Sequence, residues 1–231
     1  MRPTVVLFDV DGTLLSAGGA GRRALERAFA AHCGTSTPLH DLRFNGMTDP
    51  GIVRAGLEQL GRPVEPRLVA AILEDYVGLL GDELARTAGF TVHAGVTSIL
   101  DQLAGQSQVA VGLGTGNLRD GARLKLERAG LEAYFPFGGF GSDHEDRAEL
   151  LRIGAARGVA WLGKPRELCR IVVVGDTPLD IAAAAAVDAA SLGVATGGCT
   201  TDALRAAGAT WAVEDLTAPG VRTALWEGET A

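Results

Sequence analysis

The chain of 231 residues is 47% hydrophobic, 21% charged and 5% aromatic, which is typical of a globular protein with a substantial buried core. This composition excludes a disordered tail and a small disulfide-stabilised scaffold. A net charge of −7 and an isoelectric point near 5.1 argue against binding to nucleic acid or to an anionic membrane surface. Three cysteines without CxxC spacing predict neither a disulfide framework nor a zinc site, and a cytoplasmic location is expected.

The amino terminus carries a short apolar segment. Residues 5–8 are apolar and are followed at once by Asp9, so this segment is too short for a signal peptide or a membrane span. The longest run of small residues, 181–195, is rich in alanine and is interrupted by Asp188. It predicts a helix that leads into a strand. The sequence therefore predicts a protein without a transmembrane segment.

The predicted elements alternate between strands and helices. Short apolar runs predict buried strands at residues 5–8, 109–113, 171–174 and 191–195, with a weaker one at 210–213. Helical patterns of suitable length lie between or after them, at 96–103, 120–128, 147–157 and 179–186. This alternation predicts an α/β fold with a doubly wound, mainly parallel sheet and helices on both faces.

One stretch interrupts the alternation. Residues 22–32, 51–60 and 66–84 each show apolar residues at helical spacing, with no strand pattern between them. They predict an all-helical domain at 16–88, inserted after the first strand, and a core domain formed by 1–15 and 89–231. Because ligands bind at the carboxyl ends of parallel strands, we expect the insertion to cover the binding site as a cap.

Two aspartates follow the first strand in the sequence Phe-Asp-Val-Asp-Gly-Thr. Asp9 and Asp11 are two residues apart and should project into the ligand crevice. Close carboxylates repel, so such a pair needs a cation or a shared proton, and Mg²⁺ prefers oxygen ligands. A helix cap or Asx turn is the alternative for any single aspartate. A calcium loop of the EF-hand type is excluded, because Leu14 stands where that loop needs glycine.

Three segments in chain order resemble the haloacid dehalogenase superfamily of aspartyl-phosphate hydrolases. Residues 5–13 resemble its first motif, hhhhDxDGT, and Thr115 at a strand end resembles the second. Residues 175–180, Gly-Asp-Thr-Pro-Leu-Asp, resemble the fourth motif, GDxxxD. The sequence Gly-Met-Thr-Asp at 46–49 is common in phosphoglycolate-phosphatase-like members. The resemblance covers the whole chain and implies a Rossmann-like core with a helical cap of the C1 type.

The resemblance implies a role for each matching acid. Asp9 would be the nucleophile that forms a covalent aspartyl-phosphate, and Asp11 would be the general acid and base. The Asp9 side chain, the Asp11 backbone carbonyl and the Asp176 side chain would hold Mg²⁺. Asp180, one helical turn after Asp176, would lie behind the metal ligands and orient Asp176 or a water molecule. A helix cap and a first-turn acid are the alternatives for the last two.

The phosphate-binding residues are less clearly marked. Thr115 and the Gly116 amide stand at a strand-to-helix turn, which suits a phosphate, whereas the glycine spacing there does not match the dinucleotide-binding GxGxxG. The family's third motif supplies a lysine or arginine that steadies the nucleophile and the phosphate, and its usual KPxP pattern is missing here. We favour Lys125 for this role, with Arg147 and Lys164 as alternatives.

These observations predict a magnesium-dependent phosphatase that hydrolyses a small phosphorylated metabolite, with phosphoglycolate-like substrates favoured. Asp11 argues against a dehalogenase, and the lack of lysine in residues 16–88 argues against a phosphonate hydrolase. A phosphosugar mutase and a non-catalytic phosphate-binding protein remain alternatives. Candidates for substrate choice are Arg22, Arg23 and the segment 46–49. The protein is expected to be a monomer or a homodimer, with neither nucleic acid nor membrane as a partner.

Overall fold

A computed structural model describes residues 2–227 of the chain. Six strands form one sheet in the order β5-β4-β1-β6-β7-β8, and every neighbouring pair in it is parallel. Strands β2 and β3 form a separate antiparallel pair. The strands are β1 (Thr4–Phe8), β2 (Leu15–Ala17), β3 (Phe90–Val92), β4 (Val109–Thr115), β5 (Gly138–Phe140), β6 (Arg170–Gly175), β7 (Ala190–Val194) and β8 (Trp211–Val213).

Helices connect the strands and cover both faces of the large sheet. They are α1 (Ala20–Cys33), α2 (Thr37–His40), α3 (Asp49–Gln59), α4 (Pro66–Arg86), α5 (Val96–Ala104), α6 (Arg119–Ala129), α7 (Arg147–Leu162), α8 (Pro178–Ala185) and α9 (Thr201–Ala206). Two 3₁₀ turns, Glu132–Tyr134 and Arg166–Leu168, and a π-helical turn, Thr223–Glu227, complete the described secondary structure. In residues 2–227, no helix combines the length and the apolar character needed to cross a membrane.

The central strand β1 shows why the sheet is buried on both faces. All five of its residues are buried, and successive side chains point to opposite faces. Val6 and Phe8 join the cluster that contains α5 and α6, whereas Val5 and Leu7 join the cluster formed with α7 and α8. The doubly wound, mainly parallel α/β fold predicted from the sequence is confirmed.

The helices α1–α4, called here the helical insertion (residues 20–86), lie between β2 and β3. The β2–β3 pair carries the chain away from the sheet and back to it, with Leu15 opposite Val92. Apolar residues of the insertion, among them Leu25 and Phe29, belong to the same buried cluster as Phe8 of β1. The insertion therefore packs on the core through a continuous apolar surface. The division into domains at residues 15/16 and 88/89 stays a prediction.

Candidate active site

Asp9 begins the site at the carboxyl end of β1. Its backbone amide donates a hydrogen bond to the carbonyl of Val174 in β6 at 2.9 Å, so the two strands are still side by side where the acid stands. The chain then turns at Gly12, whose φ of 83° favours glycine. A Cβ atom at Gly12 would lie 2.5 Å from Asp176 Oδ2. The turn thus leaves room for two buried acids, from β1 and from the end of β6, to face each other.

Three buried aspartates converge at this edge of the sheet. Carboxylate oxygens of Asp9, Asp176 and Asp180 lie within 4.8 Å of one another. Asp180 is fixed by a capping box at the start of α8, in which the Thr177 hydroxyl donates to Asp180 Oδ2 at 2.7 Å and the Thr177 amide donates to the same oxygen at 3.0 Å. The sequence expectation that Asp180 stands behind Asp176 is consistent with this arrangement, although its role stays a prediction.

Arg147, the first residue of α7, connects two of these acids. Its Nε donates to Asp180 Oδ1 at 2.7 Å, and its Nη2 lies 3.1 Å from Asp9 Oδ1. Burial alone would lower the pKa of Arg147, but the carboxylates of Asp180 and Asp9 outweigh it and raise that pKa above its ordinary value. The guanidinium therefore stays charged and fixes the orientation of the Asp9 carboxylate.

Asp11 belongs to a second polar group beside the first. Lys125 Nζ, on α6, donates to Asp11 Oδ2 at 2.5 Å and to Asn117 Oδ1 at 2.6 Å. The Asn117 side-chain amide in turn donates to Asp11 Oδ2 at 2.8 Å and to Thr115 Oγ1 at 2.9 Å. Thr115 makes a side-chain hydrogen bond with Asp9. Lys125 is only 3% exposed, whereas the Asp11 side chain is 42% exposed, so a buried ammonium group fixes an acid that faces the cavity.

The helical insertion closes over the loop that follows β4. The amide of Asp49, at the start of α3, donates to the Gly116 carbonyl at 2.8 Å, and Asp49 Oδ2 accepts from the Leu118 amide at 2.8 Å. The Asp49 carboxylate also forms a hydrogen bond with the buried Tyr76 of α4. A Cβ atom at Gly116 would lie 2.3 Å from the carbonyl oxygen of Met47. Glycine is therefore required at position 116 for this close contact.

A cavity of about 360 Å³ opens between the core and the insertion. The sequence-predicted residues that line it are Asp9, Asp11, Gly116, Lys125, the alternative Arg147 and the substrate-choice candidates Arg22, Gly46, Met47 and Asp49. The candidate Arg23 is outside the described lining and pairs with Glu83. Thr115 and Asp176 are outside the described lining, but both are buried and lie next to Asp9. Lys164 is exposed at the far end of α7 and outside the described lining of this cavity.

Two contributors were not assigned from the sequence. Asn117 stands two residues after Thr115 at the same strand end, and that spacing could have indicated it. Tyr76 lies among the apolar positions of a long helix, where a tyrosine is ordinarily a core residue. Its contact with Asp49 depends on how α4 packs against α3, which no local pattern specifies.

Comparison with known proteins identifies the family. Residues 3–188 match the haloacid dehalogenase-like hydrolases. The chain belongs to this family. This chain is 29% identical to "Probable phosphatase IndB" of Dickeya dadantii over 208 aligned residues. The aligned region covers 90% of this chain and 87% of that protein.

Solved structures of other proteins share the fold. A hydrolase from Pseudomonas syringae is 21% identical with a TM-score of 0.68, over 92% of this chain and 94% of its own. CbbY from Rhodobacter sphaeroides, solved in complex with phosphate, is 16% identical with a TM-score of 0.71, over 97% and 99% of the two chains. At these identities the likeness concerns the fold.

Hydrolases of this family generally use a metal ion, and the three-aspartate cluster fits one. Burial, reinforced by neighbouring acids, raises the pKa of Asp176 to about 8, and burial raises the pKa of Asp9 to about 6 despite the nearby Arg147. Asp176 Oδ2 has no hydrogen-bond partner among residues 2–227. Glycine at 12 and 197 leaves space beside that oxygen, since a Cβ at Gly197 would lie 1.7 Å from it. The unpartnered Asp176 Oδ2 next to the Asp9 carboxylate offers hard oxygen donors that suit a divalent cation such as Mg²⁺.

This charge arrangement predicts how pH affects the stability of the metal-free protein. The pKa of Asp176 is about 8 in the folded state against an ordinary 3.8. Between these values the unfolded chain loses the proton and the folded chain keeps it, so stability falls as pH rises from 4 to 8. The metal-free protein should therefore have a lower Tm at pH 8 than at pH 6, and Mg²⁺ should raise the Tm more at pH 8.

Asp176→Asn tests this prediction. The variant removes the uncompensated charge, so its metal-free Tm at pH 8 should exceed that of the wild type by several degrees, and Mg²⁺ should no longer raise it. Asp202→Asn, at an exposed position on α9, serves as the control and should behave like the wild type. Thermal unfolding with and without Mg²⁺ measures both effects. An Asp176→Asn protein that is less stable than the wild type at pH 8 would contradict the account.

Proposed function

We propose that the protein is a magnesium-dependent phosphatase that hydrolyses a small phosphomonoester through an aspartyl-phosphate on Asp9. The observation that carries this proposal is the placement of Asp9. Its carboxylate lines the cavity, and Arg147 Nη2 lies 3.1 Å from its Oδ1. Asp9 also belongs to the same cluster as Asp176, whose Oδ2 has no hydrogen-bond partner among the described residues. The similarity to a protein named as a phosphatase supports the same class of reaction.

The reaction follows from the two groups of residues. In the first half, an oxygen of Asp9 attacks phosphorus, the bond from phosphorus to the leaving oxygen breaks, and Asp11 gives a proton to that oxygen. In the second half, Asp11 accepts a proton from a water molecule that attacks the phosphoryl group, and the bond to Asp9 breaks. Mg²⁺, held by Asp9, Asp176 and the Asp11 carbonyl, would supply neutralisation of the phosphate charge.

The contacts of the two basic residues indicate different roles for them. Arg147 touches the Asp9 carboxylate, whereas Lys125 touches Asp11 and Asn117. We therefore assign the steadying of the nucleophile to Arg147 and the positioning of Asp11 to Lys125. The sequence favoured Lys125 for the first task, and contact of Lys125 with the phosphate stays a prediction. Thr115 and the Gly116 amide would complete the phosphate site.

The proposed activity is tested with p-nitrophenyl phosphate and the purified protein. Hydrolysis should require Mg²⁺ and should stop when EDTA removes the metal. Acid-quenched enzyme should carry a phosphoryl group on the peptide that contains Asp9, as mass spectrometry would show. Turnover that persists in EDTA, or a phosphoryl group on another residue, would reject the proposed mechanism. The phosphoglycolate-like substrate expected from the sequence stays a prediction.

Lys125→Met tests the positioning of Asp11. Without the ammonium group the Asp11 carboxylate keeps only the Asn117 amide as a described partner, so we expect kcat to fall by about 10²-fold, at the lower end of what general acid catalysis contributes. The chain has one other lysine, the exposed Lys164. Lys164→Met is therefore a matched control and should keep full activity. Unchanged kcat in Lys125→Met would refute the assignment.

A further inference from the structure

We propose that the leaving group of the substrate is an uncharged alcohol and does not carry a carboxylate. This inference rests on the proposed phosphatase function and narrows its substrate class. Six side chains in the described lining of the cavity carry a carboxyl, amino or guanidino group: Asp9, Asp11, Asp49, Arg22, Lys125 and Arg147. Burial lowers the pKa of His93, the remaining titratable group of basic character in that lining, and keeps it neutral.

Each of the three cations is already engaged by groups of the protein. Arg147 pairs with Asp9 and Asp180, and Lys125 pairs with Asp11. These pairs lie at the reacting end of the cavity, where the phosphoryl group itself brings negative charge. Neither cation is therefore available to a second anionic group on the substrate.

Arg22 is the cation on the insertion side of the cavity, and its guanidinium group contacts other residues of the helical insertion. Its Nη1 donates to the Leu39 carbonyl at 2.9 Å, and its Nη2 donates to the Leu42 carbonyl at 2.7 Å. The guanidinium carbon also lies 3.8 Å from the centre of the Phe44 ring. Arg22 Nη1 also lies 3.3 Å from Glu26 Oε1, so its charge is already paired within the protein, and turning the guanidinium toward a substrate carboxylate would break these contacts at a free-energy penalty.

A carboxylate on the leaving group would also meet like charge. Asp49 lines the cavity as well and is buried. An anion that enters a partly enclosed site beside this buried acid, with every cation of the described lining already paired, loses hydration without gaining a partner. The cavity therefore disfavours an acid such as glycolate as the leaving group.

The remaining wall suits an alcohol with an apolar face. Leu25, Phe44, Met47 and Ile52 supply apolar surface, and Asn45 offers hydrogen-bonding groups. The cavity volume of about 360 Å³ lies in the range of sites that accept ligands larger than a two-carbon acid. Apolar walls with a few polar groups are typical of pockets that orient an uncharged ligand.

A matched pair of substrates tests the inference. Phosphoglycolate and 2-hydroxyethyl phosphate have the same number of carbons and differ in a carboxylate against a hydroxymethyl group. With Mg²⁺ present, we expect kcat/KM for 2-hydroxyethyl phosphate to exceed that for phosphoglycolate by about 10-fold or more. An equal or higher value for phosphoglycolate would overturn the inference and leave the phosphatase function intact. Hydrolysis of neither ester, nor of p-nitrophenyl phosphate, would overturn both.

Two variants separate charge from shape. Met47→Lys adds a cation to the half-buried loop that lines the cavity, and relative to Met47→Gln it should shift the ratio of kcat/KM values toward phosphoglycolate by about 10-fold. Arg22→Gln should change the two values in the same proportion. A selective loss of phosphoglycolate hydrolysis in Arg22→Gln would show that Arg22 binds the carboxylate, and an unshifted ratio in Met47→Lys would show that the missing cation is not what excludes it. Either result would overturn the inference.

Discussion

Replacing Asp9 by asparagine should abolish turnover of every phosphoester, with kcat reduced by about 10⁴-fold or more. The amide has almost the shape of the carboxylate but is a much weaker nucleophile. The substitution should leave the fold intact, since Arg147 keeps its contact with Asp180 and one of three converging charges is removed. Steady-state hydrolysis of p-nitrophenyl phosphate and thermal unfolding measure the two effects.

The matched control for Asp9→Asn is Asp82→Asn. Asp82 lies on α4 of the insertion with its side chain mostly exposed, so the same chemical change there should alter neither kcat nor Tm. A folded Asp9→Asn protein that retained wild-type turnover would place the nucleophile on another residue. It would also remove the basis for assigning Arg147 to the nucleophile.

Much of the sheet could be predicted because buried strands are marked by apolar runs in the sequence. Strands β1, β4, β6 and β7 are apolar runs, and parallel strands covered on both faces need such runs. Strand β5, Gly-Gly-Phe, was missed because glycine disfavours strands. The structure shows why glycine is needed: a Cβ atom at Gly139 would lie 1.8 Å from the carbonyl oxygen of Leu150 in α7. That requirement comes from tertiary packing, which a local pattern does not contain.

The same distinction applies to the site. Asp9 and Asp176 could be expected to meet, because they follow strands that the parallel order places side by side. The partners of the basic residues could not, because they depend on where α6 and α7 begin and how each helix lies on the sheet. Lys125 and Arg147 both reach the cavity, but their contacts with different aspartates are set by helix placement. Residue type and spacing alone left these two alternatives open.

Replacing Asp11 by asparagine should lower kcat by about 10²-fold to 10⁴-fold without removing metal binding. The amide can still accept a hydrogen bond from Lys125 or Asn117, but it cannot carry the proton that the leaving oxygen needs. Only the backbone carbonyl of Asp11 is assigned to the metal, so Mg²⁺ should still raise the Tm of the variant at pH 8. Near-wild-type turnover in this variant would reject Asp11 as the general acid.

Comparing two substrates distinguishes removal of the general acid, as in Asp11→Asn, from loss of its positioning, as in Lys125→Met. The p-nitrophenolate ion leaves readily without a proton, whereas an alkoxide does not. If Asp11 is the acid, the loss in Asp11→Asn should therefore be larger for 2-hydroxyethyl phosphate than for p-nitrophenyl phosphate. Lys125→Met keeps the carboxyl group and only loosens its position, so the difference between the two substrates should be smaller there. Equal losses for both substrates in Asp11→Asn would instead indicate that Asp11 serves mainly to shape the site.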